Sequence, residues 1–416
     1  MNNYYSRISD IESFLFEKYE FRYNDVLGRT EYRNKNNEGN KYQKVNDYFA
    51  NTLLRELSMK GLSYPKDSLI NLLKSDFAPK YNSLRNYFND LPEWDGVDYI
   101  AQLASTISTT NDELFLISLS KWLVGTVASV MNDETINHIM LIFIGKQGVG
   151  KSSWIKGLVP EDLKEYYYEG MVYPKDKDSR IQLSERMVIN IDELGVLNSR
   201  DLEMLKDLIT NGSINVRRVY ARHSESMTRI ASFVGSGNHK EFLSDTTGNR
   251  RFLCFDVKGV NYKHEVPIGK VYSQAVHLYR SGFQHWLDGD EISLVNENNE
   301  DFTSHSVEED LLLKYLEPCP KEDGTLFDSA TGILKKLLEL DNPSSDGKPN
   351  NGSRINTPSV VALGKMLNKH GFSSGKKKGM KVYYYREKQE KVVVEVEEVI
   401  YGYGYYRERK KVNKKR

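Results

Sequence analysis

The stretch FIGKQGVGKSSW, residues 143–154, leaves this chain few ways to fold. Ile139 to Ile144 is apolar and β-rich, and the pattern G-x-x-x-x-G-K-S then runs from Gly145 to Gly150, Lys151 and Ser152. Such a run reads as strand, tight loop, helix. Glycines let the backbone turn so that its N–H groups point inward at an anion, and the following helix adds its positive end. A triphosphate is the expected ligand. Gly145, Gly148, Gly150, Ser152 and Ser153 would surround it, Lys151 would reach its β and γ phosphates, and Ser152 would ligate Mg²⁺.

A loop of this kind needs a second acid for the metal. RMVINIDEL, residues 186–194, supplies one: an apolar strand with Asp192 and Glu193 at its C-terminal end. In an open parallel sheet, ligands bind beyond the strand C-termini. Asp192 is expected to hold Mg²⁺, and Glu193 to orient and deprotonate the attacking water. From about 112 to 300, helical stretches alternate with short apolar strands. That alternation predicts an α/β domain, a P-loop core with a parallel sheet flanked by helices.

The rest of the chain divides by composition. Residues 1–83 predict a small N-terminal α+β domain, winged-helix-like, with strands around Gly28 and an amphipathic helix ending at Gly61. Residues 84–135 read as a helical connector, with Pro92 and Gly96 as breakers. Residues 136–300 form the nucleotide-binding core with a helical lid. Residues 301–386 read as a C-terminal helical domain containing the polar linker 341–357. There, a helix over 357–372 and a strand over 381–386 suggest a recognition helix followed by a basic wing. Lys365, Lys369, Lys376, Lys377 and Lys378 could meet duplex DNA there. The equal alternative is a solvated basic loop. Residues 387–416 form a basic tail.

Bulk properties exclude some classes. Formal net charge is zero, so a nucleic-acid partner must be argued from local basic clusters. The two cysteines, Cys254 and Cys319, have no metal-like spacing and fit a reducing compartment. The apolar run 114–131 contains Lys121 and several polar residues, and reads as a buried helix rather than a membrane span. The N-terminus lacks a basic-then-apolar leader pattern, so a cytoplasmic location is expected.

Three features follow the acidic strand. DLEMLKDLITNG (201–212) reads as a helix. INVRRVYARHSESMTRIASFVG (214–235) reads as a β-hairpin. Val216 and Val219 lie on its outgoing arm, Ile230 to Val234 on its return arm, and the tip falls near Arg222 to Glu225. The return arm ends in GSGN, which puts Asn238 at a strand terminus. TTGNRRFLCFDV (246–257) then places Arg250 and Arg251 just before another apolar strand.

In this order the segments resemble a superfamily 3 helicase ATPase of the AAA+ type, and more closely the virulence-associated E family of phages and mobile elements. EWDGV (93–97), GKQGVGKS (145–152), NIDEL (190–194), RRVYAR (217–222), the Asn238 strand end and TGNRRF (247–252) carry the resemblance. It spans roughly residues 84 to 300. It implies an ATP-dependent DNA helicase or translocase that replicates a mobile element. ATP and Mg²⁺ are the implied cofactors. Asn238 would be a γ-phosphate sensor. Arg250 or Arg251 would be a finger reaching the neighbouring subunit's site in a homo-oligomeric, hexameric ring. Arg222 and His223 at the hairpin tip would grip single-stranded DNA, helped by Lys206, Arg217 and Arg218. A separate primase is a further implied partner.

Plainer readings remain beside these. The hairpin arginines could be a solvated edge, Asn238 a turn residue, and one of Arg250 and Arg251 structural. The competing function is a nucleotide-switched regulatory DNA-binding protein without motor activity. A metabolic kinase is a third reading, which leaves the hairpin and the arginine pair unexplained.

Overall fold

The chain opens on α1 (Asn2–Lys18) and passes into a hairpin of β1 (Tyr19–Asn24) and β2 (Arg29–Asn34), turned at Gly28 with φ 62°. A short β3 (Gln43–Lys44), α2 (Asp47–Met59), α3 (Lys66–Leu73) and β4 (Lys80–Tyr81) complete this module. Its sheet order is β3-β2-β1-β4. Asn46 caps α2 by accepting the Phe49 N–H at 2.9 Å. Phe49, Leu53 and Leu57 from that helix then pack on Phe21, Ile11 and Leu69. The long hairpin precedes the helix pair instead of following it, which is not the winged order.

This computed structural model describes residues 2–388, apart from 37, 38, 40, 174, 175, 198, 217–224, 244–248, 305, 322–325 and 342–358. It divides into two compact units, Met1–Ser304 and His305–Arg416.

Beyond the N-terminal module, unit one is mixed α/β. Short helices α4 (Ser83–Asp90) and α5 (Tyr99–Ala104) lead into β5 (Ile107–Thr109) and the long α6 (Asp112–Met131). Next come β6 (Met140–Ile144), α7 (Lys151–Gly157), β7 (Tyr167–Glu169), α8 (Lys177–Glu185), β8 (Val188–Ile191) and α9 (Ser199–Thr210). Among the described residues, strands β9 (Ser213–Val216) and β10 (Glu225–Thr228) pair with each other only. The chain then returns through β11 (Ser232–Gly237) and β12 (Phe252–Val260) to α10 (Ile268–Arg280) and α11 (Gly289–Glu300).

Six strands form the central sheet in the order β5-β12-β6-β11-β8-β7. All pairings from β12 to β7 are parallel, and only the edge strand β5 is antiparallel. Alternation along the strands divides the core. Leu141, Phe143 and Val234 face Trp122 of α6, Trp154 of α7 and Tyr272 of α10. Ile142, Ile189 and Phe233 face Leu202, Leu205 and Ile209 of α9. Helices therefore cover both faces, as a buried parallel sheet requires. Helix α6 is long and apolar enough to cross a membrane, yet 78% of its apolar window is buried inside the fold. Its Lys121 is satisfied there by Glu291 at 3.0 Å and by the carbonyls of Gln284 and Trp286.

Unit two contains α12 (Val307–Tyr315), β13 (Leu316–Pro318), β14 (Leu326–Asp328), α13 (Ala330–Asp341), α14 (Val360–Lys369), β15 (Ser374–Lys377) and β16 (Met380–Glu387). Strand β16 pairs antiparallel with β13, β14 and β15. Helix α14 is followed directly by the β15–β16 hairpin. Lys365, Lys376, Lys377 and Lys378 are exposed. Lys369 is not a free cation: it pairs at 2.6 Å with the buried Glu309, which His370 also contacts. The linker 342–358 and the tail from 389 lie outside the described residues.

Candidate active site

The loop after β6 is shaped by its glycines. Gly145, Gly148 and Gly150 have φ of 159°, 81° and 98°. At Gly148 and Gly150 these are left-handed values that a Cβ disfavours. A Cβ on Gly145 would also meet the Val257 carbonyl oxygen at 2.8 Å. The loop is tied to the sheet by the Gly145 N–H, which donates to the Gly237 carbonyl at 3.1 Å. Lys151 begins α7 and is buried. Its ammonium donates to the carbonyls of Gly145 (2.8 Å) and Lys146 (2.9 Å) and to Asn238 Oδ1 (3.2 Å). Burial pushes the Lys151 pKa below its ordinary value, and the negative charge of Asp192 opposes that shift in part.

The strand order explains this convergence. β11 lies between β6 and β8, so Asn238, just past its end, stands between the glycine loop and Asp192. The Ser236 hydroxyl donates to Asp192 Oδ1, and so does the Glu193 N–H at 3.0 Å. Asp192 and Glu193 are exposed. Glu193 adopts φ 57°, a left-handed conformation that is rare for a residue with a side chain. Ser236 was not among the expected site residues, although GSGN put it two positions before Asn238.

Among the described residues, no group of three or more His, Cys, Asp or Glu could hold a metal. A carboxylate such as Asp192 with a hydroxyl such as Ser152 suits Mg²⁺, which keeps waters and substrate phosphates in its shell. Three glycines with positive φ suit a phosphate, since they leave the backbone amides of the loop uncovered.

The arginine pair lies elsewhere. Arg250 and Arg251 end the turn before β12, where Phe252 is level with Met140 at the start of β6. Asp256 is level with Ile144. Four residue steps of strand, about 13 Å, separate the arginine end from the glycine loop. Arg250 is exposed and Arg251 half-buried. Both line a cavity of about 640 Å³ with His138, His285 and Trp286. Burial, then the charges of Arg229 and Arg251, push the His138 pKa down.

The hairpin needs a correction. Its return arm is β10, Glu225–Thr228, with Glu225 opposite Val216 and Thr228 opposite Ser213. Ile230 to Val234 does not continue it, because the chain turns into the core at Arg229 and β11 joins the central sheet. Arg229 is fully buried. Its guanidinium donates to the carbonyls of Ala231 (2.7 Å), Asn137 (3.0 Å) and Ile209 (2.9 Å), and burial pushes its pKa down to about 9. Arg217, Arg218, Arg222 and His223 lie outside the described residues. Lys206 is also corrected: it is 6% exposed and pairs at 2.7 Å with Glu203 one turn away, so it presents no open cation to a nucleic acid.

Residues 88–304 match the virulence-associated protein E-like domain, ending at the boundary of unit one. No curated protein matches the chain. Among solved structures, the apo C-terminal region of phage NrS-1 is similar at 13% identity and a TM-score of 0.47, over 89% of this chain and 97% of that one. An A form of the same region gives 14% and 0.42 over 89% and 98%. A JCV helicase with a bound small molecule gives 16% and 0.26, over 49% of this chain and 60% of that one.

Proposed function

The chain belongs to the virulence-associated protein E-like family, and on that premise we propose that it is an ATP-hydrolysing DNA helicase or translocase of AAA+ type, working as a ring. The observation that carries this reading is the meeting of Lys151, Asn238 and Asp192 at the ends of three adjacent parallel strands, with Arg250 at the opposite end of the sheet.

The glycine loop, Lys151, Ser152 and Ser153 hold the phosphates of ATP, and Ser152 with Asp192 would hold Mg²⁺, whose positive charge would offset that of the phosphates. Lys151 donates to the terminal phosphates, exchanging carbonyl partners for charged oxygens. Ser236 fixes the Asp192 carboxylate, and the Asn238 amide orients the attacking water. Glu193 takes the proton from that water onto its carboxylate. Arg250 lies too far from its own loop to serve it, so it completes a neighbour's site. That makes turnover depend on the ring. Of the pair, Arg250 is assigned because it is the exposed member. The residues between β9 and β10, with Arg217, Arg218, Arg222 and His223, grip the phosphate backbone of single-stranded DNA without reading its sequence. The exposed lysines 365 and 376–378 of unit two offer a duplex contact.

The test is steady-state ATP hydrolysis with and without single-stranded DNA. Wild type should be stimulated, Lys151→Ala should be inactive, and Arg222→Ala/His223→Ala should keep basal turnover but lose stimulation. DNA-independent turnover in every active variant would sink the motor reading.

A further inference from the structure

The nucleotide site proposed above accounts for the phosphates but leaves the base without a partner. One turn beside the loop is built to supply it. After β12, the neighbour of β6, the chain runs through Asn261 and Tyr262. The Asn261 N–H donates to the Thr106 carbonyl at 2.8 Å. The Thr106 hydroxyl accepts from Trp154 Nε1 at 2.7 Å and donates to the Leu103 carbonyl at 2.7 Å. Trp154 is a buried residue of α7, the helix that follows the glycine loop. The turn, the edge strand β5 and the loop's own helix are thus bonded together.

On this support the Tyr262 ring rests against Gly150. A Cβ at position 150 would stand 2.4 Å from Tyr262 Cδ1 and 3.0 Å from Cε1, so any side chain there would push the ring aside. Tyr262 is nevertheless 46% exposed. A large aromatic surface, next to a backbone amide tied to Thr106 and touching the phosphate loop, is about half exposed, with the Lys263 ammonium 5.8 Å from its centroid. Burying such a face against another flat π surface is favourable and tolerant of base identity.

We propose that Tyr262 is the stacking shelf for the base of a bound purine nucleoside triphosphate. This rests on the phosphate-site reading of residues 145–152. The phenol ring reads the face of the base and not its hydrogen-bonding edge, so adenine and guanine are accepted about equally.

The test uses the full chain, with Mg²⁺ present. Binding of non-hydrolysable ATP and GTP analogues and of inorganic tripolyphosphate is measured by calorimetry. Wild type should bind both analogues about tenfold tighter than tripolyphosphate, within the range of a base–aromatic stack. Tyr262→Leu, which keeps apolar contact with Gly150, should bind all three at the tripolyphosphate level. Tyr262→Phe should behave as wild type. If Tyr262→Leu keeps the analogue advantage while tripolyphosphate binds normally, the shelf is wrong and the phosphate site stands. If wild type does not bind tripolyphosphate, or Lys151→Ala binds it equally well, the phosphate site is wrong and the shelf falls with it.

Discussion

The Lys151 ammonium and the Asn238 side-chain oxygen stand 3.2 Å apart across two neighbouring parallel strands. They come from positions 87 residues apart in sequence. The pair joins a group that binds charge to a group that can place water. Separate losses are therefore expected on mutation. Lys151→Ala should abolish hydrolysis and weaken triphosphate binding. Asn238→Ala should leave KM near wild type and lower kcat by about 100-fold, as for removal of one preorganised polar group. Steady-state kinetics on the two variants checks this.

Lys151 also sets a pH limit. Its pKa is lowered in the folded chain, chiefly by burial. Phosphate binding needs the ammonium form, so ATP affinity should fall as pH rises through a value below the ordinary lysine pKa. For stability the sign is opposite. The folded state gives up this proton more readily than the unfolded chain, so the group's contribution is least favourable at neutral pH and improves as pH climbs through that window. Affinity measured from pH 7 to 10.5 should show the early decline, and Lys151→Ala should not.

The placement of Arg250 predicts complementation. Lys151→Ala chains have a dead site but an intact finger, and Arg250→Ala chains the reverse. Each alone should be inactive, and an equimolar mixture should recover a measurable fraction of wild-type ATPase activity. No recovery in mixtures shown to co-assemble would place Arg250 outside the reaction.

Arg229 ties the foot of the β9–β10 hairpin to the sheet and to the end of α9 through three carbonyls. Arg229→Met leaves those buried acceptors with one donor fewer each. Destabilisation by about 3 kcal/mol is expected, since leaving a single buried group unpaired costs about 1–3 kcal/mol. Urea unfolding would measure it.

How much was legible in the sequence depended on how local each signal is. The glycine loop with its lysine and Ser152 occupies eight consecutive residues, and the acid pair ends a strand that is apolar except at Asn190, so both could be read directly. Asn238 could be placed at a strand end, but its contact with Lys151 depends on strand order, which no short segment encodes. Ile230 to Val234 reads as the return arm of the hairpin because it is apolar and β-rich, whereas the chain leaves the hairpin at the buried Arg229. Its partners are carbonyls near residues 137 and 209, and nothing local announces them. Lys206 was misread for a similar reason: a charge on a helix looks available until its Glu203 partner and its burial are known.

The N-terminal module adds a last consequence. Asn24 Nδ2 donates to the Tyr166 hydroxyl at 2.8 Å, Arg29 makes two 2.6 Å bonds to Glu165, and Val26 belongs to the same hydrophobic cluster as the central sheet. The family match begins at residue 88, but the contacts that hold this unit together do not. A fragment cut at the edge of the family domain would leave the Tyr166 phenol without its amide and open the flank of the segment that joins α7 to β7. The matched family domain is therefore smaller than the compact unit that contains it.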